Sequence, residues 1–368
     1  MSRNIIVATD RKTVLIPDGD SPFAIQVAQC LRRGDRNLHV DAGFIDPRAL
    51  SRFSRYIHRC HRLRRKELLN DLIATIKKSG IDVLLPVSGP GIAFVARHAA
   101  ALREHVHISA VPLPAQLDLV NDKWLFAQQV MGAQIATPRT VLLDGEKRLD
   151  EFDPDLPIIL KPRCGSGGNG INRFDRAADL RSQIARFMGE NDPYLIQEFI
   201  TGYDIDRSVL CIGGRVVAST VQEDVSAKAH FAPSGSLHFH QDAKAERLVD
   251  AVVDALGWHG IAHLDLRYDK DGRLHVIELN PRYWSTMPGS LAAGINFPLI
   301  AVREALGLEQ PEPHMHECYY VSLKDWPKFR RRLGVSLSET SLYHGAIDPV
   351  SKLLKKYRPS SAFGENTA

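Results

Sequence analysis

A chain of 368 residues is longer than one hydrophobic core ordinarily supports, so two or three domains are expected. Its 44% hydrophobic and 24% charged content is that of a globular protein, and a net charge of +4 is too small at this length to point to nucleic acid. Five scattered cysteines without a C-x-x-C pair argue against a disulfide framework or a structural zinc site; with no signal peptide or membrane-length apolar run, they make a cytoplasmic location the expectation.

Residues 4–8 read as a short buried strand, followed by a second apolar run. Ser21 then stands as N-cap of a helix running to about residue 31, with Pro22 at its first position. A strand over 39–44, a helix over 68–78, an apolar strand over 81–87 and a helix over 92–102 complete the pattern. Strands alternating with helices imply βαβ units and a parallel sheet, so 1–115 is assigned to a Rossmann-like domain. It lacks a G-x-G-x-x-G fingerprint. Its loops at 18–21 and 87–91 follow strands, where open α/β sheets bind ligands, although ordinary turns suit the same residues. Between 48 and 66 the chain is crowded with Arg and His. An acidic partner would suit that charge, but a solvated helix face anchored by Phe53, Tyr56 and Ile57 is the simpler reading. His58, Cys60 and His61 match no structural zinc spacing.

Residues 112–114 read as a linker, and Asn121-Asp122-Lys123-Trp124 opens a helix to about residue 131. A short strand follows at 140–143. Residues 157–162 form an apolar strand that delivers Lys161 to its end, directly before Cys164-Gly165-Ser166-Gly167-Gly168-Asn169-Gly170. Four glycines let the backbone approach a polyanion and turn successive N–H groups toward phosphate oxygens, with Lys161 within reach of the same group. No Lys-Ser/Thr follows the last glycine, so this is not a Walker A loop. A helix over 177–188, a strand over 194–200 and a hairpin of 208–212 with 215–220 come next. Residues 228–240 read as a flexible loop with three histidines, His230, His238 and His240, which suit either acid–base work or a solvated loop. A helix over 244–256 ends at Gly257.

Residues 261–268 and 274–279 alternate apolar and polar side chains around the turn Asp269-Lys270-Asp271-Gly272. Asp265 lies on the first strand; Glu278 and Asn280 lie at the end of the second, two residues apart and so on one side. Paired antiparallel, the strands could turn all three to one face as a hard-oxygen set suited to Mg²⁺, with Arg282 beside it to grip a phosphate or carboxylate. By itself the hairpin is equally a solvated acidic turn. Beyond 310 the chain says less: His314 and His316 are too isolated for a metal site, 326–333 is a basic amphipathic segment expected to pack on the body, and 359–368 is expected to be disordered.

Taken in this order, the Asp-Lys helix start, the strand ending in Lys before a Gly-rich loop, the Gln-Glu-Phe-Ile strand end with an acid after Gly202, and the Asp…Glu-x-Asn-x-Arg hairpin resemble the ATP-grasp superfamily over roughly residues 20–305. The resemblance implies an α/β plus α+β molecule: a Rossmann-like domain at 1–115, the ATP-grasp N-terminal part with its lid at 116–205, a C-terminal subdomain with the metal site at 206–310, and an extension at 311–368. It implies that Lys123 and Lys161 touch ATP phosphates, that Gly165, Ser166, Gly167, Gly168 and Gly170 form the phosphate lid, and that Gln197 lies near the adenine amino group. Glu198, Phe199 and Ile200 correspond to the hinge whose backbone reads the adenine edge; Asp204, with Asp206 as rival, corresponds to the ribose acid. Asp265, Glu278 and Asn280 correspond to the metal ligands, for Mg²⁺ with Mn²⁺ as substitute, and Arg282 to the basic residue beside the transferred phosphoryl group. The stretches PDGDSPFA, RFSRYI and DVLLPVS are similar to the stand-alone carboxylate–amine ligase branch, related to the ATP-grasp domains of the carbamoyl-phosphate synthase large chain. The implied activity joins a small carboxylate to an amine through an acyl phosphate, releasing ADP and phosphate, without a membrane or nucleic-acid partner; a homodimer is compatible. A carboxylase activating bicarbonate and a nucleotide-binding scaffold with the Arg-rich segment as docking surface remain the alternatives.

Overall fold

The structure is a computed structural model that describes residues 11–165, 168, 170–187, 193–226, 235–309 and 312–341. The strand expected at 4–8, His230 and the tail at 359–368 lie outside the described residues. The described chain divides into two compact units, one of residues 11–110 and 296–309, the other of 111–295 and 312–341.

The first unit opens with β1 (Thr13–Ile16), α1 (Ala24–Gly34) and β2 (His39–Phe44). β3 (Arg59–Arg62), α2 (Leu68–Ser79), β4 (Val83–Leu84), α3 (Gly89–Arg97), α4 (Ala99–Arg103) and β5 (His107–Ile108) follow. The strands form a parallel sheet in the order β3-β2-β1-β4-β5. Val14, Leu15 and Ile16 are fully buried, as a strand covered on both faces requires. The helix start at Ser21 needs correction: its hydroxyl accepts from the Phe23 N–H at 3.2 Å inside a turn, and α1 begins three residues later. The helix expected at 92–102 is two helices broken at His98. Residues 48–66 are not a helix. After one 3-10 turn at Leu50–Phe53 they become β3, an edge strand, and Phe53 is 43% exposed while Tyr56 is buried. Basic residues on an edge strand discourage pairing with other chains. The two loops after strands clamp each other: buried Asp18 accepts from the N–H groups of Val87 and Ser88 and from the Ser88 hydroxyl.

The second unit's first helix is α5 (Pro114–Asn121), which starts on the last residue of the linker expected at 112–114; its proline occupies the first turn, which has no use for the missing N–H. α6 (Lys123–Gly132) is capped by Asp122, whose carboxylate accepts from the N–H groups of Trp124 and Leu125. β6 (Thr140–Leu142), β7 (Ile158–Pro162), β8 (Asn172–Phe174) and β9 (Tyr194–Glu198) build an antiparallel sheet in the order β6-β9-β7-β8. α7 (Ala177–Arg181) is shorter than expected and gives way to a 3-10 turn; Leu143, Phe152, Leu160, Leu180 and Ile196 share the core behind this sheet.

β10 (Gly202–Ile212) and β11 (Arg215–Asp224) form the expected hairpin at greater length, turning at Gly213-Gly214. β12 (Leu237–Phe239) lies where the sequence suggested loop, because it finds ladder partners on both sides. α8 (Ala243–Leu256) ends at Gly257 in the left-handed conformation, ahead of β13 (Gly260–Asp269), β14 (Leu274–Asn280) and α9 (Met287–Ala292). α10 (Phe297–Ala305) belongs to the first unit, where the Asn296 amide donates to the Cys30 carbonyl. β15 (Cys318–Tyr320) and α11 (Trp326–Leu333) return to the second. Its larger sheet has the order β14-β13-β10-β11-β12-β15 and every pairing is antiparallel. α11 packs through Phe329 against Val321 and Val335. Among the described residues no helix is long and apolar enough to cross a membrane.

Candidate active site

The hairpin β13–β14 carries one irregularity that decides its chemistry. Leu266 pairs with Val276, but the next pair is Asp265 with Glu278, so Ile277 is an extra, bulged residue. In an unbroken ladder Asp265 would oppose Ile277, and Glu278 would fall opposite Leu264 on the other face. The bulge moves Glu278 to the Asp265 face, and His263 then pairs with Asn280. Asn280 donates from Nδ2 to Glu278 Oε1 at 3.1 Å and lies 3.4 Å from Asp265 Oδ2; its Oδ1 accepts from Arg282 Nη2 at 3.3 Å. Turning the amide about its last torsion would offer the oxygen to a cation instead.

β10 adds Asp206, which the sequence offered only as a rival ribose acid, and Ser208, which it did not bring forward. Asp206 pairs with Asp265 and Ser208 with His263. One ligand atom each of Asp206, His263 and Asp265 lie within 4.8 Å of one another. These pairings join positions about 60 residues apart, and no local spacing reports such a contact.

The field in this cleft is strongly uneven. Burial, then the charges of Glu278 and Asp206, push the Asp265 carboxyl well above the ordinary carboxylate range. Burial and the Asp204 charge push Asp206 up to about 8. Glu278 ends below its ordinary value: burial raises it, and the charges of Lys123 and Lys161, with hydrogen bonds from Asp265 and Asn280, together more than offset that. Burial pushes His263 down to about 3, with the Arg282 charge adding to the effect. Asp265 still leaves 39% of its side-chain surface open, an approach for a ligand.

Two lysines face the acids. Lys123, first residue of α6, places Nζ 3.9 Å from Glu278 Oε2 and donates to the Gly165 carbonyl. Asp122 fixes that helix start a second way, accepting from Arg163 Nε at 2.7 Å just beyond β7. Lys161 is buried in β7; its ammonium donates to Gln197 Oε1 at 2.9 Å, and Gln197 donates in turn to Thr140 Oγ1 at 2.8 Å. Burial, with Lys123 nearby, pushes Lys161 down to about 8. Gln197, read from sequence as an adenine neighbour, is here the group that holds Lys161.

Gly165, Gly168 and Gly170 take φ of 114°, 75° and 74°, a backbone course that favours glycine. Ser166 and Gly167 lie outside the described residues. At the hinge, strand β9 stops at Glu198 instead of running to residue 200. The N–H groups of Glu198 and Phe199 donate to the carbonyls of Arg139 and Pro157, and the Ile200 carbonyl accepts from Arg267 Nε. Arg267 also pairs with Asp204, whose side chain is 58% exposed, and stacks over Phe199 at 4.8 Å. Gly202 lets β10 start there: a Cβ would lie 1.8 Å from the Tyr268 carbonyl oxygen. Asp204 is thus an exposed ion-pair partner, while Asp206, two residues along the same strand face, joins the acidic cluster.

This donor set fits a hard divalent cation carrying a polyphosphate. Three acids and an amide converge on one face, their crowding disfavours full ionisation, and two lysines stand opposite. Residues 120–286 match the family model described as an ATP-grasp domain. The chain is also similar in fold to several solved structures. N5-carboxyaminoimidazole synthetase from Staphylococcus aureus, complexed with ADP, superposes with a TM-score of 0.66 at 15% identity, over 90% of this chain and 89% of that one. The biotin carboxylase domain of 2-oxoglutarate carboxylase from Hydrogenobacter thermophilus gives 0.64 at 17%, over 84% and 73%. L-amino acid ligase from Bacillus licheniformis gives 0.59 at 21%, over 80% and 73%. With the motif order, the two antiparallel sheets and the converging site in place, residues 120–286 are an ATP-grasp domain.

Proposed function

We propose that the protein is an ATP-dependent carboxylate–amine ligase, which activates a small acid as an acyl phosphate and passes it to an amine with release of ADP and phosphate. The observation that carries this reading is the convergence of Asp265, Glu278 and Asn280 opposite Lys123 and Lys161 within one ATP-grasp domain. When bound, Mg²⁺–ATP supplies the phosphoryl group and brings a cation to the acidic cluster. Asp265, Glu278 and Asn280 would hold the cation, and Asp206 adds to the field that draws it. Lys123 and Lys161 would bind phosphate oxygens, and phosphate charge beside Lys161 favours its ammonium form. The Gly165, Gly168 and Gly170 backbone would close over the same oxygens. At the hinge two N–H groups are committed within the protein, so adenine recognition falls to the remaining main-chain groups. Arg282 would steady the substrate carboxylate as it attacks the γ-phosphorus, then the acyl phosphate until the amine displaces phosphate. Such transfer relies on position and charge, so no side-chain nucleophile is required. Five scattered cysteines without a C-x-x-C pair are in keeping with a reducing, cytoplasmic setting.

ADP release should be screened over pairs of amino acids and other acid–amine pairs, with product masses measured. Turnover should need both substrates and fall at least about a thousandfold in Glu278→Gln, as expected when a ligand that orders the transferred phosphate is lost. AMP and pyrophosphate as products would overturn the ligase reading. Bicarbonate-dependent ADP release without an amine would replace it with a carboxylase.

A further inference from the structure

We propose that Glu223, His238 and His240 form a second metal site, for a divalent transition ion of the zinc type, on the sheet face opposite the nucleotide cleft. Strand geometry brings the three together. His238 and His240 stand two residues apart, so both imidazoles project to one side, and their rings lie 4.9 Å apart. Glu223 is the direct cross-strand partner of His238. Gln222, one residue earlier, bonds Ser208 on the His263 face, so Glu223 points the other way. One ligand atom from each of the three lies within 4.8 Å of the others.

The hydrogen bonds around the two imidazoles prepare them as ligands. His238 donates from Nε2 to Glu317 Oε1 at 2.8 Å and stacks on Tyr319 at 4.3 Å, which leaves its Nδ1 as the lone-pair nitrogen. His240 donates from Nδ1 to the Gln241 carbonyl at 3.1 Å, which leaves Nε2. That Nε2 is buried without a hydrogen-bond partner among the described residues and sits 3.8 Å from Glu223 Oε2. A ligand histidine whose second nitrogen donates to a carboxylate or carbonyl is the arrangement that orients imidazole on a metal. Two imidazoles and one carboxylate select zinc and its neighbours over Mg²⁺, and three protein ligands leave a fourth position open. Tetrahedral zinc places its ligand atoms about 3.3 Å apart, and His240 Nε2 already stands 3.8 Å from Glu223 Oε2, a gap within the reach of small side-chain rotations. A bound ion would tie β11 to β12 and, through Glu317, to the segment entering β15.

The test uses full-length, tag-free protein stripped with chelator, then titrated with Zn²⁺ by calorimetry and followed by thermal melting. One Zn²⁺ per chain should bind and raise the Tm of the native protein and of Glu278→Gln equally. His238→Ala and His240→Ala should each weaken binding at least about tenfold, with metal-free Tm near the native value. If either fails to fold, Glu223→Gln, which keeps the side-chain volume, should show the same weakening. Co²⁺ should give the intense ligand-field absorption of a four-coordinate site in native protein and not in the double histidine variant. The proposal is overturned if no Zn²⁺ binds, if the double variant binds as tightly as native, or if binding disappears in Glu278→Gln and persists without the histidines. The readout is metal binding, so its failure is distinct from failure of the ligase reading.

Discussion

Lys161 keeps its charge where the protein around it favours the neutral amine. Its pKa lies near 8 in the folded chain against an ordinary 10.5, because burial removes the water that would solvate the ammonium. Below about pH 8 that burial penalty is fully present. As pH rises from 8 toward 10.5 the folded protein releases this proton before the unfolded chain does, and the penalty fades. The stability of Lys161→Met relative to native protein, measured without nucleotide, should therefore fall by about 2 kcal/mol between pH 7 and pH 9.5. Urea unfolding at several pH values checks the slope, and a flat difference would contradict the buried ammonium. The same variant should lower kcat/KM by about 10²–10³, the cost of losing one group aimed at developing phosphate charge. Of this residue the sequence told the position at a strand end and nothing of its partner. Gln197 reaches it across paired strands, a contact set by ladder register and not by chain spacing.

The bulge at Ile277 and the cap at Asp122 act at the scale of elements. Inserting one residue between Ile277 and Glu278, with a single bulged residue kept, should move Glu278 opposite Leu264 on the other face and abolish Mg²⁺-dependent ATP turnover while strand content in circular dichroism persists. Retained turnover would mean that the register does not place the carboxylate. Asp122→Ala removes the N-cap of α6 and the Arg163 pair, so stability should drop by about 1–2 kcal/mol and KM for ATP should rise as the start of the Lys123 helix frays; chemical unfolding and steady-state kinetics check both. The alternating residues around Asp269–Gly272 made the β13–β14 hairpin legible, and Gly257 marked the end of α8. β12 was not legible. Three residues are too few to show a period, and they are a strand only because β11 and β15 flank them. Segment 48–66 misled for a related reason: its charge density resembles a solvated helix, while pairing with β2 makes part of it an edge strand.

In the whole molecule, nucleotide and metal should stabilise the second unit selectively, since Lys123, Lys161, Asp265 and Glu278 all lie in it. At about a hundred times Kd, Mg²⁺–ATP should add about 2.7 kcal/mol to that unit, seen as the upward shift of one calorimetric transition, and Glu278→Gln should remove the shift. The division between units was only partly legible: α10 follows the hairpin in sequence yet packs with α1, and nothing local to residues 296–305 announces that return. By itself the sequence determined the order of chemical groups, lysine before glycine loop before acid, and the alternation that makes strands of their surroundings. Those are local properties, written in side-chain type and period. The tertiary structure decided which groups meet: Ile277 turned Glu278 to Asp265, Asp206 joined them from β10, and Glu223 met two histidines on the reverse face. Each of those meetings depends on register between paired strands, where a shift of one residue reverses every side chain.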